Sequence, residues 1–305
     1  MPTDPETLPV ILPVISAVVV TYRPDARVLE NVRRLSAQIT GIFVVDNGSG
    51  GDSAQVVEAV GNLPGVQLIR NSANLGIASA LNIGIRQALQ GGAQWVAMFD
   101  QDSAVPVDFF KNLFWAYALC PEPQKVGMVT PRGWSKAIAK VFHPGQPVWG
   151  YALDANSSGS VIKREVFDVA GFYDDGMFID LVDMDFCLRI QKHGFKILKA
   201  LTVVLEHELG SKQTVSLLGF KVSFHEHTYW RYYYMMRNRL LLHRRFFFVF
   251  PGWAVYDFGW FCYGSAKLFF ENDRRRKLRA LWKGLIDGLR GKSGRHPEFP
   301  PSPNL

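Results

Sequence analysis

An apolar run at residues 95–102 (WVAMFDQD) ends in two carboxylates spaced i and i+2. Successive strand side chains alternate between faces, so Asp100 and Asp102 are expected to project the same way from a strand's C-terminal end. Ligands of open α/β sheets gather at that edge. Two carboxylates there repel each other unless a cation lies between them. A hard divalent ion, Mg or Mn, suits oxygen ligands and takes phosphate oxygens to complete its shell. The expected chemistry is a metal-held diphosphate.

Other polar residues fall at corresponding places. Thr21-Tyr22 ends one apolar run and Asp46, followed by Asn47-Gly48-Ser49, ends another. At the ligand edge they could hydrogen-bond a base or ribose, although Asp and Asn are also ordinary strand-ending turn residues. Asn74-Leu75-Gly76 opens a helical pattern whose first N–H groups could meet an anion, with Asn74 equally suited to be an N-cap. Asn82, inside that helix, needs a partner. Around a later helix start, Asp180 fits an N-cap, Asp183 the N3 region, and Asp185 an i,i+4 partner for Arg189. Asp180 and Asp183 share a face, and a helix N-terminus keeps a carboxylate ionised, as a general base requires. His207 follows an apolar strand, and its neutral imidazole could join Asp102 on a divalent ion.

The elements that must position these groups alternate. Run 15–22 reads as a buried parallel strand, 41–46, 66–70 and 95–100 as further strands, and 25–39, 54–60 and 77–89 as helices between them. That order implies a right-handed wound α/β sheet. Beyond residue 120 the pattern loosens. A short strand is expected at 158–163, a helix at 181–193 capped by Gly194, a strand within 196–206, and helical structure from about residue 211.

Three cysteines, far apart, suggest no disulfide framework and favour a reducing compartment. The start, MPTDPETLPV, is unlike a signal peptide and reads as part of a disordered lead-in over 1–13. Charge is uneven: residues 1–220 hold 18 Lys/Arg against 21 Asp/Glu, while 221–305 hold 16 against 6. Such a basic region meets nucleic acid or an anionic membrane. No nucleic-acid motif accompanies it. Residues 246–270 are aromatic and apolar, but Asp257 and Pro251-Gly252 argue against a clean spanning helix. Leu278, Leu281, Trp282, Leu285, Ile286 and Leu289 form one helical stripe flanked by cations, which suits either a bilayer surface or core packing. Cations on both sides of the aromatic block place both ends on the cytoplasmic side. The expectation is a peripheral or monotopic protein on the cytoplasmic face of an anionic membrane.

Taken in order, VVVTYRPD (18–25), VVDNGS (44–49), NLGIASALNIGI (74–85), FDQDS (99–103), GFYDDGMFIDLVDMDFCLR (171–189), EH (206–207) and RYYYMMRNRL (231–240) resemble the family 2 inverting glycosyltransferases of GT-A fold. The later motifs look closest to bacterial dTDP-L-rhamnose-dependent rhamnosyltransferases. The resemblance implies a GT-A glycosyltransferase domain over 14–215, a mostly parallel wound sheet flanked by helices, and a helical membrane-associating region over 216–305. It implies transfer of L-rhamnose from dTDP-L-rhamnose to a saccharide or glycolipid acceptor in cell-surface polysaccharide synthesis. It puts Asp46 on the pyrimidine and Thr21, Tyr22, Asn74, Gly76, Asp100 and Gln101 around the nucleotide-sugar. Asp102 and His207 are implied metal ligands, and Arg237 a diphosphate contact. Asp183 is the implied base, with Asp180 in reserve because Val182 stands where many relatives have Glu. The rivals are the same fold with another donor, such as a UDP-hexose, and a non-catalytic membrane-bound scaffold for partner transferases.

Overall fold

Four apolar runs of strand length form the parallel half of an eight-stranded sheet; 15–21, 41–46 and 95–100 are buried almost throughout, and 66–70, at the edge, is only partly covered. The computed structural model describes residues 11–133, 146–207, 212–217, 220–225, 227–266, 268 and 271–300. Residues 1–10 of the expected lead-in lie outside that set.

Strands β1 (Ile15–Thr21), β2 (Gly41–Asp46), β3 (Val66–Arg70) and β4 (Trp95–Asp100) alternate with helices α1 (Arg27–Ser36), α2 (Ser53–Gly61) and α3 (Ile77–Gln90). After a two-residue strand β5 (Ser103–Ala104) come α4 (Phe109–Ala118), β6 (Val126–Gly133), β7 (Trp149–Ala152), β8 (Val161–Lys163), α5 (Arg164–Ala170), α6 (Val182–Lys192), β9 (Lys196–Val204) and β10 (Glu206–His207). The eight-stranded sheet runs β3-β2-β1-β4-β8-β6-β9-β7. β3, β2, β1 and β4 are parallel, whereas β8 is antiparallel to both neighbours and β7 to β9. The order reverses between β1 and β4, which opens a crevice beyond their C-terminal ends.

Period-two alternation assigns each face. Ile15, Ala17 and Val19 join Ile42, Val44, Trp95, Ala97 and Phe99 in one core with α1 and α4. The opposite parity faces α3. There Gly84 sits so close to the sheet that an added Cβ would lie 2.4 Å from Val18 Cγ1.

The chain divides into two compact units: residues 1–173 with 186–208, and residues 174–185 with 209–305. The expected stretch 14–215 is thus interrupted. Residues 174–185 cluster with the C-terminal helices α7 (Tyr229–Phe246), α8 (Pro251–Ala266) and α9 (Arg274–Leu289), because α7 side chains bind their carbonyls. The expectation of helix from residue 211 is also corrected. Lys212–Leu217 and Phe220–His225 pair as an antiparallel hairpin, β11–β12. The apolar–polar alternation of VSL in the first strand and of FKVSF in the second suits a pleat better than a helix.

In the second unit α9 packs on α7 through Ala280, Gly284 and Gly288, all buried. A Cβ on Gly284 would stand 2.5 Å from the Tyr233 carbonyl oxygen, so only glycine allows that approach. The apolar stripe expected to pack or meet lipid is split: Leu281, Leu285 and Ile286 are half-buried, with Leu281 against the aromatic cluster of the second unit, while Leu278, Trp282 and Leu289 are exposed. No described helix is long and apolar enough to cross a membrane.

Candidate active site

Parallel register sets Thr21 opposite Asp46, and Val20 opposite Asp100, at the strands' C-terminal ends. Asp46 is buried, and its carboxylate accepts from Thr21 Oγ1 at 3.1 Å, Ser49 N at 2.9 Å and Ser49 Oγ at 2.5 Å. Ser49 Oγ in turn accepts from Arg23 N at 2.7 Å. Tyr22 donates its N–H to Gln101 Oε1 at 2.8 Å, which ties the end of β1 to the turn after β4.

The Asn-Gly and Asn-Leu-Gly motifs form one lock. Asn47 Nδ2 donates to Asn74 Oδ1 and the Gly76 carbonyl, while Asn47 Oδ1 accepts from Leu75 N and Asn71 Nδ2. Gly48 has φ +82°, and a Cβ there would sit 2.5 Å from the Ala73 backbone. Gly76, not Asn74, is the N-cap of α3, with φ 89° and ψ 162°, a conformation reserved for glycine. Its N–H donates to Asn74 Oδ1 at 2.9 Å, so Gly76 does not offer that group to an anion. Of the helix-start N–H groups expected to face an anion, the one at Gly76 is thus already engaged by a side-chain oxygen two residues upstream. Asn82 finds its partner in Tyr173, bonding both the N–H and the carbonyl of that residue at 3.0 and 2.8 Å.

Asp100 ends β4, but Gln101 and Asp102 lie in a turn before β5. The strand-periodicity argument for a shared face therefore covers Asp100 alone. The turn is fastened from below: Ser158 Oγ accepts from Asp100 N at 3.1 Å and bonds Ser103 Oγ at 2.7 Å. Asn31 Nδ2 donates to the Gln101 carbonyl at 3.0 Å. Ser158 and Asn31 went unnoticed in the sequence. The only signal for Ser158 was the polar run 156–160 ahead of a short strand, and Asn31 gave none. β10 pairs antiparallel with β5, setting His207 opposite Ser103, one residue from Asp102. Among the described residues no group of three His, Cys, Asp or Glu is assembled to hold a metal ion. A bound ion would need further oxygens from elsewhere, such as a diphosphate.

In the second unit the segment before α6 is strained. Phe178, Asp180 and Leu181 have φ of 64°, 63° and 62°, each unusual for a non-glycine residue. Such conformations persist only where the surroundings over-determine them, and they cluster at functional sites. Here Arg237 Nη2 donates to the Gly176 and Met177 carbonyls at 3.1 and 3.0 Å. Arg237 Nη1 donates to the Gly294 carbonyl and Nε to Asn238 Oδ1. Asn238 Nδ2 reaches the Met177, Ile179 and Asp180 carbonyls at 2.7–2.9 Å. Arg237 is 1% exposed and lies over the Tyr233 and Tyr234 rings. Burial pushes the Tyr233 hydroxyl up to about 12.

The expected diphosphate contact at Arg237 is therefore corrected: its guanidinium is enclosed and bound to backbone carbonyls. Asp180 is corrected too. Arg231 grips both its oxygens, and that carboxylate raises the guanidinium's own pKa. A carboxylate with both oxygens engaged by one guanidinium is fixed as the anchor of an ion pair. Asp185, expected to pair with Arg189, is fully buried with Arg245 Nη1 at 2.9 Å from it. Arg245 also reaches Asp174 at 2.6 Å. Asp183 occupies the first turn of α6, directly after the strained residues.

Comparison with known proteins follows the same lines. A model described as "Glycosyl transferase family 2" matches residues 16–118. The chain is 31% identical over 246 residues to the dTDP-rhamnosyl transferase RfbF of Shigella flexneri, covering 76% of this chain and 80% of that protein. Among solved structures, the mannosyltransferase PcManGT from Pyrobaculum calidifontis, in complex with GDP-Man and Mn2+, superposes with a TM-score of 0.54 at 16% identity, covering 95% of this chain and 89% of that one. GalNAc-T7 with UDP, GalNAc and Mn2+ gives 0.53 at 17% identity, over 64% of this chain and 44% of that one. At these identities the structural likeness is one of fold.

Proposed function

Because the chain belongs to glycosyltransferase family 2, we propose that it transfers L-rhamnose from dTDP-L-rhamnose to a hydroxyl of a saccharide or glycolipid acceptor, with inversion, in cell-surface polysaccharide synthesis. The observation that carries this reading is the identity to RfbF, which extends over four-fifths of that protein. Asp46, Thr21 and Tyr22 lie at the sheet edge where a nucleotide belongs. Asp102 and His207 would hold a divalent ion: carboxylate oxygen and imidazole nitrogen suit Mn or Mg, and strand pairing sets His207 opposite the residue after Asp102. When bound, that ion would stabilise negative charge on the departing diphosphate. The acceptor hydroxyl attacks the anomeric carbon, the glycosyl–phosphate bond breaks, and the hydroxyl proton passes to a carboxylate. We assign that base to Asp183. A single displacement inverts the anomeric centre and needs no covalent nucleophile.

The donor is tested by thermal protection and turnover with dTDP-L-rhamnose, UDP-hexoses and GDP-mannose, with product masses read by mass spectrometry. The expected result is the largest rise in melting temperature with dTDP-L-rhamnose and addition of one deoxyhexose to the acceptor. Preferential turnover of a UDP-hexose would overturn the donor assignment. The ion site is tested by Asp102→Ala. Calorimetry should show Mn strengthening donor binding in the wild type, with that increment reduced at least about tenfold in the variant. An unchanged increment would remove Asp102 from the site.

A further inference from the structure

Helix α8 is reversed relative to a water-facing helix. Its one charged residue, Asp257, points inward to Arg239 at 2.8 Å and His243 at 2.7 Å. Its outward residues are Val255, Tyr256, Phe258, Trp260 and Tyr263, all exposed. The turn before it carries Phe248, 93% exposed, between exposed Phe247 and Val249. Helix α9 repeats the inversion in part, its outer face also carrying exposed Arg275, Arg276 and Arg279. Lys277 is buried against Glu271 at 2.7 Å and Asp287 is fully buried, while Leu278, Trp282 and Leu289 face out. The glycine seam prevents the helix from rolling that stripe inward, since any side chain at position 284 would strike the Tyr233 carbonyl. Trp260 and Leu281 border one cavity of about 180 Å³, so the two helices adjoin there.

Water-facing helices place charges outside and apolar residues inside. Helix α8 does the opposite and α9 turns Leu278, Trp282 and Leu289 outward beside exposed arginines, and Trp and Tyr are abundant among the exposed residues, as at membrane–water interfaces. Arg274, Arg275 and Arg276 are exposed at the start of α9, with Arg274 and Arg275 one turn before Leu278. We propose that the outer faces of α8 and α9, with the Phe247–Phe248–Val249 turn, dock the protein onto an anionic lipid bilayer, apolar side chains entering the interface and the arginines meeting lipid phosphates. The helices lie in the interface, none being long enough to span it. The exposed arginines select a negatively charged surface over a second, equally basic copy of this chain.

The full-length protein is floated with vesicles of phosphatidylcholine and phosphatidylglycerol, three to one, and with pure phosphatidylcholine vesicles. Recovery with the anionic vesicles is expected to exceed that with the neutral ones clearly. Partitioning should fall at least about tenfold in the Phe248→Ser/Trp260→Ser/Trp282→Ser variant. It should also fall in Arg274→Glu/Arg275→Glu/Arg276→Glu, with melting temperatures unchanged because every altered side chain is exposed. If the triple serine variant unfolds, Phe248→Ser alone is read. A wild type that stays unbound, binds both vesicle types alike, or loses nothing on substitution overturns the proposal. So does a stable dimer abolished by the same substitutions, which would assign the surface to a second copy.

Discussion

Asp183→Asn is expected to slow sugar transfer by roughly two to four orders of magnitude, the usual worth of a positioned general base. Asparagine keeps the size of the side chain and serves a helix start nearly as well as aspartate, so the melting temperature should hardly move. Donor affinity, measured without acceptor, should stay within about twofold of wild type, because a base acts on the acceptor hydroxyl in the transition state. Asp183 stands in the first turn of α6, immediately after three residues held in the left-handed region. That strain has an evident use if it sets one carboxylate in place. Near-normal turnover in the variant would take Asp183 out of the mechanism and leave the strained turn without a role in it.

Arg237→Met should cost about 2–4 kcal/mol of stability, through carbonyls left without their charged donor. The guanidinium serves the Gly176, Met177 and Gly294 carbonyls, and Met cannot donate to any of them. Thermal melts should shift down by several degrees. Below the transition, transfer should also slow while donor affinity persists, since the turn carrying residues 178–181 loses one of its two clamps. A diphosphate ligand would behave in the opposite way: unchanged melting and a weaker, salt-sensitive donor affinity. That outcome would restore Arg237 to the nucleotide.

Arg237 shows how far residue types lead without geometry. The family resemblance implies a diphosphate contact at Arg237 in RYYYMMRNRL, and nothing in the order of residues says that its guanidinium closes on carbonyls about sixty positions away. Asp180 misleads similarly: its helix-start position is readable, but its cation, Arg231, comes from a distant helix, which also brings Arg245 to Asp185. Sequence spacing reports local partners only.

By itself the sequence determined the wound α/β body: apolar runs of strand length separated by helical periods leave few other ways to bury their surface. It also determined which residues end the strands, and so the placing of Thr21, Asp46 and Asp100 at one edge of the sheet. Tertiary structure decided the orientation of α9. A stripe of leucines and tryptophan fits a core as well as a lipid surface, and the choice fell to a glycine-lined seam whose backbone contact no side chain could replace. Periodicity defines the two faces of a helix; contact with a neighbour settles which of them is inside.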